Sequence, residues 1–175
     1  EIRELTTAEK GEIRKKQGWR LIAACVNQAD VGIAPSQHLL ETLKENGTTV
    51  PLHVLPNGIS LDRYCRSRAE DSPISKQPGE KFIVCVARVS GEKRQQVLIE
   101  ASKHIQTPHV KLLIIGDGPE RAHLEELAQE LGVSEKVIFV GLQPPEVVAA
   151  ILKQADIFTL PSYHFDNQPM SILEA

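Results

Sequence analysis

Four short stretches of the chain after residue 80 are apolar at every position except Lys111 and Thr159, and each is followed by a segment with helical spacing. These stretches are Phe82–Ala87, Val110–Ile115, Val137–Val140 and Ile157–Leu160. Strands without polar alternation are buried on both faces, and a helix after each strand brings the chain back to the same end of the sheet. Right-handed crossovers then build a parallel sheet with helices on both faces. The sequence therefore predicts an α/β fold of the Rossmann-like, doubly wound type.

The first 60 residues carry strand and helix patterns on a smaller scale. Apolar residues at helical spacing predict a long helix over residues 12–29, and residues 31–34 and 52–55 are typical of short strands. Ser36 is placed to cap a second helix, which Gly47 ends. A basic cluster at the start of the long helix is expected to be a solvated face, or a contact with an anionic membrane or another domain. Its members are Arg14, Lys15, Lys16 and Arg20.

The composition excludes several classes of function. A formal net charge of −3 provides no positive field that would gather nucleic-acid phosphates. No window reaches the roughly 18 apolar residues of a membrane span, and the first residues lack the apolar run of a signal peptide. Cys25 and Cys85 lie in apolar stretches, where a free thiol is expected to be buried. Together with the odd count of three cysteines, this predicts a reducing, cytoplasmic location without a disulfide framework or a zinc site.

Both ends of the chain are expected to be cuts within a longer protein. Met170 is the only methionine, and the last residues stop inside an apolar-periodic run that has no capping residue. The sequence therefore predicts that this chain is a fragment of a longer protein.

The loop after the first apolar strand contains two cations, Arg88 and Lys93, on either side of a turn of small residues that opens a helix. A helix start attracts anions, arginine presents a planar fork to phosphate, and lysine adds a point charge. The pair is suited to hold a diphosphate without a metal. The alternative is a surface network in which both cations pair with Glu92.

The loop after the second strand reads Gly116-Asp-Gly118-Pro-Glu120 and leads into a helix. The glycines permit a close backbone approach to a ligand. Asp117 and Glu120 have the spacing of an acidic capping box, so helix capping accounts for part of the motif. No phosphate-loop lysine follows, and no Gly-x-Gly-x-x-Gly occurs, which argues against a nicotinamide site.

The loop after the fourth strand carries two carboxylates, Asp166 and Glu174, eight residues apart. Asp166 is expected at the mouth of the strand and Glu174 about a turn and a half into the last helix. An acid near a helix start is often only dipole compensation, and His164 in the same loop is a weaker acid–base candidate. No Asp-x-Asp is present, so a leaving diphosphate would be neutralised by Arg88, Lys93 and backbone amides, and no metal site is predicted.

Taken in order, these segments resemble glycosyltransferase family 4, whose members are retaining enzymes with the two-domain GT-B fold. The resemblance covers nearly the whole chain. It rests on an ordered set of motifs: 29–36, 54–59, Arg88 with Glu92 and Lys93, 113–120, 137–141, 155–162 and the carboxylates at 166 and 174.

The resemblance implies a role for each matching residue. Arg88 and Lys93 would bind the donor diphosphate, and Glu174 would hydrogen-bond the ribose. Asp166 would contact the transferred sugar as the catalytic-site carboxylate, although the family places the longer glutamate there. The remaining donor-site positions are the loop glycines, the end of the third strand and the segment before the last helix: Gly116, Gly118, Gly141, Asn167, Gln168 and Pro169.

The resemblance also implies how the chain is organised. Residues 1–60 would be the end of the acceptor-binding domain and the interdomain link, 61–80 a linker or loop, and 81–175 a truncated nucleotide-sugar-binding domain. The donor would be a UDP-, GDP- or ADP-sugar with no separate cofactor, and the acceptor a glycan, lipid or small molecule. The whole enzyme would be a cytoplasmic hexosyltransferase with peripheral contact to the inner membrane face, and the fragment alone would be inactive.

Three alternatives stay open on the sequence. A binding module or inactive homologue would keep the fold without transferring sugar. A sugar-nucleotide epimerase of the non-hydrolysing kind shares the GT-B architecture and needs no acceptor. A Rossmann oxidoreductase ranks last because the dinucleotide fingerprint is missing.

Overall fold

The computed structural model describes residues 7–163 and 167–175, and the chain divides into two compact units, one reaching Asn57 and the other starting at Gly58. Two 3-10 turns, Ala69–Asp71 and Gly91–Lys93, accompany the regular elements. The helices are α1 (Thr7–Val26), α2 (Gln37–Glu45), α3 (Leu61–Arg66), α4 (Gln95–Ser102), α5 (Arg121–Glu130), α6 (Pro145–Leu152) and α7 (Met170–Glu174). The strands are β1 (Gly32–Ala34), β2 (Leu52–Val54), β3 (Lys81–Val86), β4 (Val110–Ile115), β5 (Val137–Gly141) and β6 (Ile157–Phe158).

In the first unit, β1 and β2 pair in parallel with α2 between them in the chain. The predicted cap of α2 is confirmed, since Ser36 Oγ accepts the Leu39 amide at 3.2 Å. Gly47 ends the helix with φ of 100°, a left-handed conformation that suits glycine. The amides of Gly47 and Thr48 fold back to helix carbonyls at 3.1 Å each, which satisfies the last turn.

Helix α1 ends at Val26, before the predicted end at residue 29, because the side chain of Asn27 binds the loop after α2. Asn27 Oδ1 accepts the Thr49 amide at 2.8 Å, and Nδ2 donates to the Gly47 carbonyl at 2.9 Å. The prediction that Cys25 is buried is wrong: its side chain is exposed, since α1 buries mainly the narrow stripe at Ala23. Burial of Cys85 in β3 is confirmed.

The second unit is built on a four-stranded parallel sheet with the order β5-β4-β3-β6. Strands β3 and β4 pair over six positions, from Lys81 with Val110 to Val86 with Ile115. Strand β6 is shorter than predicted and pairs with β3 at two positions only. The predicted α/β class with a parallel sheet is confirmed.

Both faces of this sheet are covered, as the apolar strands predict. Alternate residues of β4 point to opposite sides, so Leu112 and Ile114 join one core cluster while Leu113 and Ile115 join the other. The first cluster contains buried residues of α4 and α5, and the second contains buried residues of α6. These residues are Ile99, Leu124 and Ala128 on one face, and Val148 and Ile151 on the other.

The stretch 61–80, predicted as a linker or loop, belongs to the second unit and contains α3 and a 3-10 turn. Gln154, just after α6, binds this stretch through both ends of its amide. Its Nε2 donates to the carbonyls of Ala69 and Ile74 at 3.2 and 3.0 Å, and its Oε1 accepts the Lys76 amide at 3.0 Å. The sequence of this stretch shows no periodic pattern and so predicts a loop. In the structure, the distant side chain of Gln154 holds its backbone.

Asp156 anchors the start of β6 to β3. Its carboxylate accepts hydrogen bonds from Lys76 Nζ, from Lys81 Nζ at 2.9 Å and from the Phe82 amide at 2.8 Å. These hydrogen bonds, with the one from Lys76 foremost, hold the pKa of Asp156 well below its ordinary value. The charged carboxylate thereby fixes the edge strand in register.

Candidate functional site

The strand order creates one point where the chain reverses direction across the sheet. From β3 the chain adds β4 and β5 on one side, and then crosses back to add β6 on the other side of β3. Open parallel sheets bind ligands beyond the carboxyl ends of the strands at such a switch point. The loops after β3 and β6 therefore border the candidate site.

The loop after β3 has a fixed backbone. The Ala87 and Val89 amides donate to the carbonyls of Ile115 and Asp117, each at 3.0 Å. Between them, the Arg88 carbonyl accepts a hydrogen bond of 2.8 Å from Gln95 Nε2. The Arg88 side chain is exposed, and within residues 7–163 and 167–175 its guanidinium makes no hydrogen bond. A rigid backbone thus presents an exposed cation.

Glu92, in the 3-10 turn that follows, is influenced by both predicted cations. Ser90 Oγ donates to Glu92 Oε1 at 2.7 Å. That hydrogen bond is the main cause of a lowered Glu92 pKa, followed by a backbone hydrogen bond and then by the charges of Arg88 and Lys93. Arg88 and Lys93 therefore lie close enough to act on the same carboxylate. Together they exceed its charge by one, which leaves a net positive turn at the switch point.

Lys93 also lies near the buried thiol of Cys85. Burial raises the pKa of Cys85 to about 12, and the charge of Lys93 opposes this shift only in part. Lys93 therefore lies near the carboxyl end of β3, where Cys85 is buried.

Gly116 and Gly118 hold the loop after β4 against the loop after β3. A Cβ at Gly116 would lie 2.0 Å from the Ala87 carbonyl oxygen, and one at Gly118 would lie 2.1 Å from that of Val89. Gly116 also has φ of 130°, which side chains avoid. The absence of side chains at both positions lets the two loops pack backbone against backbone.

The acidic capping box predicted for α5 is not formed. Glu120 has helical backbone angles and makes no side-chain cap, so the helix starts at Arg121. Asp117 Oδ1 instead accepts the amide of its neighbour Gly118 at 2.7 Å, and Arg121 approaches Asp117 Oδ2 at 3.5 Å. The Asp117 carboxylate is thus engaged by Gly118 and Arg121 and does not cap α5.

A pocket of about 380 Å³ opens where β3, β4 and β5 end. Gly141 closes β5 there with φ of 77°, and its carbonyl accepts the Gly116 amide at 2.9 Å. The exposed side chain of Leu142, 81% accessible, stands at the rim. Other lining residues include Arg88, Gly116, Asp117, Gln143 and Val148. The pocket has mainly apolar walls and includes one of the predicted cations.

The loop after β6 starts beside the cationic turn. The Tyr163 amide donates to the Glu92 carbonyl at 3.0 Å, and the Arg94 guanidinium lies 5.2 Å from the centre of the Tyr163 ring. Asp166 and His164 lie outside the described residues. Beyond the gap, Asn167, Gln168 and Pro169 are partly buried, and so is Glu174 in α7. The structure thus brings the start of the loop to the turn that contains Lys93.

Two polar atoms in this loop lack partners. Ser162 Oγ and Asn167 Oδ1 are buried without a hydrogen bond among the described residues. Buried acceptors without partners are rare in folded proteins and often face a bound group.

Sequence reasoning missed three residues that shape the site: Arg94, Gln95 and Tyr163. Gln95 had a visible signal, because it occupies the buried stripe of α4 together with Ile99 and Ser102. Arg94 had none, since its left-handed backbone, with φ of 50°, is a product of the tertiary fold. In the described part of the chain, no three His, Cys, Asp or Glu side chains cluster as a metal site would require. None of the helices described is both long and apolar enough to cross a membrane.

A parallel sheet flanked by helices is also the fold of solved GT-B glycosyltransferases. The structure of HepE from Anabaena in complex with UDP matches 91% of this chain and 46% of its own, with a TM-score of 0.78 at 22% identity. Residues 67–175 match the family of glycosyl transferases group 1. The chain belongs to this family.

Curated relatives extend the similarity beyond the second unit. Alpha-monoglucosyldiacylglycerol synthase of Streptococcus pneumoniae is 30% identical over 164 residues, which are 89% of this chain and 37% of that protein. D-inositol 3-phosphate glycosyltransferase of Nocardia farcinica is 35% identical over 127 residues, or 64% and 27% of the two chains. The chain therefore spans about a third of the length of these relatives.

Proposed function

We propose that this chain supplies the donor-binding site of a retaining, family 4 hexosyltransferase that moves sugar from a nucleotide-sugar to an acceptor. The observation that carries the proposal is the net positive turn around Arg88 and Lys93, located at the switch point of the parallel sheet. A diphosphate fits that charge and place. Breaking the bond between sugar and diphosphate leaves negative charge on the diphosphate, and preorganised cations stabilise that charge as it develops.

Arg88 and Lys93 have different tasks in this proposal. The exposed Arg88 guanidinium offers parallel N–H groups to two phosphate oxygens, while the ammonium of Lys93 adds a point charge. Glu92 neutralises part of the turn before the donor arrives, and Ser90 keeps that carboxylate occupied. The proposal thus assigns neutralisation of the leaving group to side chains.

The pocket beyond β3, β4 and β5 is the proposed place of the nucleoside. It adjoins Arg88, so a base beside Leu142 and Gln143 would place its diphosphate at the positive turn. Glu174 is proposed to bind the ribose, on the strength of its match to the family motif. The nearby structure of HepE contains UDP, which supports UDP as the first nucleotide to test alongside GDP and ADP.

Asp166 is proposed as the carboxylate beside the anomeric carbon. Its support is its place in the family motif and the position of the loop start, which Tyr163 fixes next to Glu92. Asn167, Gln168 and Pro169 complete that loop, and the unpartnered Asn167 Oδ1 is a candidate acceptor for a sugar hydroxyl.

The acceptor is proposed to bind to parts of the whole protein outside this unit. One relative is named for a diacylglycerol glycolipid and another for an inositol phosphate, so lipids and small molecules join glycans as acceptor classes. A lipid acceptor would require peripheral contact with a membrane. Residues 1–60 would then be the end of the acceptor domain with its link, and this chain alone would transfer no sugar.

Calorimetric titration of the chain with UDP, GDP and ADP tests the donor site. Arg88→Ala and Lys93→Ala should each weaken binding of the preferred nucleotide about tenfold or more, because hydrogen bonds to charged groups are worth about 1.5–3 kcal/mol. Lys103→Ala, which removes an exposed cation at the far end of α4, is the matched control and should bind like the wild type. Equal affinity in all four proteins would refute the diphosphate site.

Product analysis separates transfer from the alternatives. The chain incubated with UDP-glucose and an acceptor mixture should release no glycoside, whereas the whole protein should give a product with the donor's anomeric configuration by NMR. Rapid transfer by the chain itself would contradict the assignment of acceptor binding elsewhere. Isomerised nucleotide sugar in the absence of acceptor would instead indicate an epimerase, and tight binding with no reaction of the whole protein a binding module.

A further inference from the structure

Gln95 is a polar side chain in an apolar place. It is the first residue of α4, is 1% exposed and lies on the same buried stripe as Ile99 and Ser102. Polar residues this deeply buried normally satisfy each of their hydrogen-bonding atoms. Ser102 follows that rule by donating to the Leu98 carbonyl at 2.8 Å in its own helix.

The carboxamide of Gln95 satisfies one end only. Its Nε2 donates to the Arg88 carbonyl at 2.8 Å, while its Oε1 is buried and has no hydrogen-bond partner in the described part of the chain. An acceptor without a partner in the interior costs more than one neutral hydrogen bond returns. An apolar side chain of similar length would therefore suit the stability of the core equally well or better.

The hydrogen bond that Gln95 donates ends on a backbone carbonyl of the candidate site. The amides of Ala87 and Val89 are held by backbone carbonyls of the loop after β4. The Arg88 carbonyl between them is held by a side chain from a different helix. The Val89 amide belongs to the same peptide as this carbonyl, so the peptide that follows Arg88 is held at both ends, by the Asp117 carbonyl and by Gln95. Without Gln95, the end next to Arg88, from which its side chain leaves the loop, would lose its hydrogen bond.

We propose that Gln95 is a positioning residue that orients Arg88 for the donor diphosphate and that its role is separate from stability. This inference rests on the proposed function of Arg88 in donor binding. The binding site accounts for a buried amide that leaves its Oε1 without a partner, because binding sites often retain groups that cost stability but serve activity.

The test uses Gln95→Met, because methionine has nearly the same length as glutamine but lacks the N–H group that binds the Arg88 carbonyl. This variant is compared with the wild type, Arg88→Ala and the Gln95→Met/Arg88→Ala double variant. The probe is UDP, with GDP and ADP in parallel, titrated calorimetrically into the whole chain. Gln95→Met should raise the dissociation constant about fivefold, and the double variant should bind within about twofold of Arg88→Ala. Such non-additivity is a result that a merely structural role would not give.

Thermal melts of the same proteins supply the second readout. Gln95→Met and Gln95→Leu should melt at or above the wild-type temperature. The control Ser102→Ala loses a satisfied buried hydroxyl in the same helix, so it should melt lower while keeping its affinity for UDP within about twofold. Lower melting temperatures in both Gln95 variants would make Gln95 a structural residue and overturn the proposal.

The outcomes separate this inference from the function on which it rests. If Arg88→Ala loses affinity but Gln95→Met does not, or if the two changes are additive, the positioning role is wrong and the donor site stands. If Arg88→Ala binds like the wild type, or no nucleotide binds to the wild type, the donor site fails and the positioning role falls with it.

Discussion

Gly118→Ala should destabilise the second unit although it adds a single methyl group. That methyl carbon would lie 2.1 Å from the Val89 carbonyl oxygen and would have to reach at least 3.4 Å for an ordinary contact. The required movement breaks the hydrogen bonds from the Val89 amide to the Asp117 carbonyl, now 3.0 Å, and from the Glu120 amide to the Val89 carbonyl, now 3.3 Å. At about 1–3 kcal/mol for each of the two buried Val89 groups left unpaired, the expected loss is about 2–6 kcal/mol.

Scanning calorimetry of the whole chain measures this loss. For a unit of this size about 4 °C corresponds to 1 kcal/mol, so the transition should fall by roughly 8–24 °C. The matched control is Gly91→Ala, whose added methyl group would meet no atom within 4 Å and whose backbone has no positive φ. It should melt within about 2 °C of the wild type or slightly higher. If both variants melt alike, loop packing is not what requires glycine at residue 118.

Three further predictions concern the carboxylate of Asp156, the backbone of Arg94 and the thiols of the cysteines. Asp156→Asn should melt below the wild type at pH 7, and the difference should begin to shrink only below about pH 3.9, the unfolded pKa, and disappear only when the pH falls through the lowered folded-state pKa of Asp156. Arg94→Gly should be about 1 kcal/mol more stable than Arg94→Ala by urea titration, since residue 94 is left-handed and alanine would be strained there; equal stabilities would exclude that conformation. In a thiol assay at pH 8, Cys25 and Cys65 should react at once and the buried Cys85, with its pKa raised to about 12, only in denaturant; three rapid thiols would contradict its burial.

The strand–helix rhythm of the second unit was predictable because it depends on local patterns. The run Val110–Ile115 is apolar except at Lys111, which is typical of a strand buried on both faces, and β4 has these bounds in the structure. The cap at Ser36 and the stop at Gly47 were predictable for the same reason, since each acts within one helical turn. The cations Arg88 and Lys93 were found because parallel strands place their following loops at one edge.

The sequence by itself determined the order of the elements, the parallel sheet and which loops border the site. The tertiary structure decided what individual polar residues do, since their partners are far away in the chain: Gln154 fixes residues 61–80, and Gln95 binds Arg88. It also decided which group lies against Gly116 and Gly118, namely the backbone of the loop after β3. A pattern of residue types records burial and backbone freedom, whereas the group that fills the space beside a residue is set only when distant segments pack together.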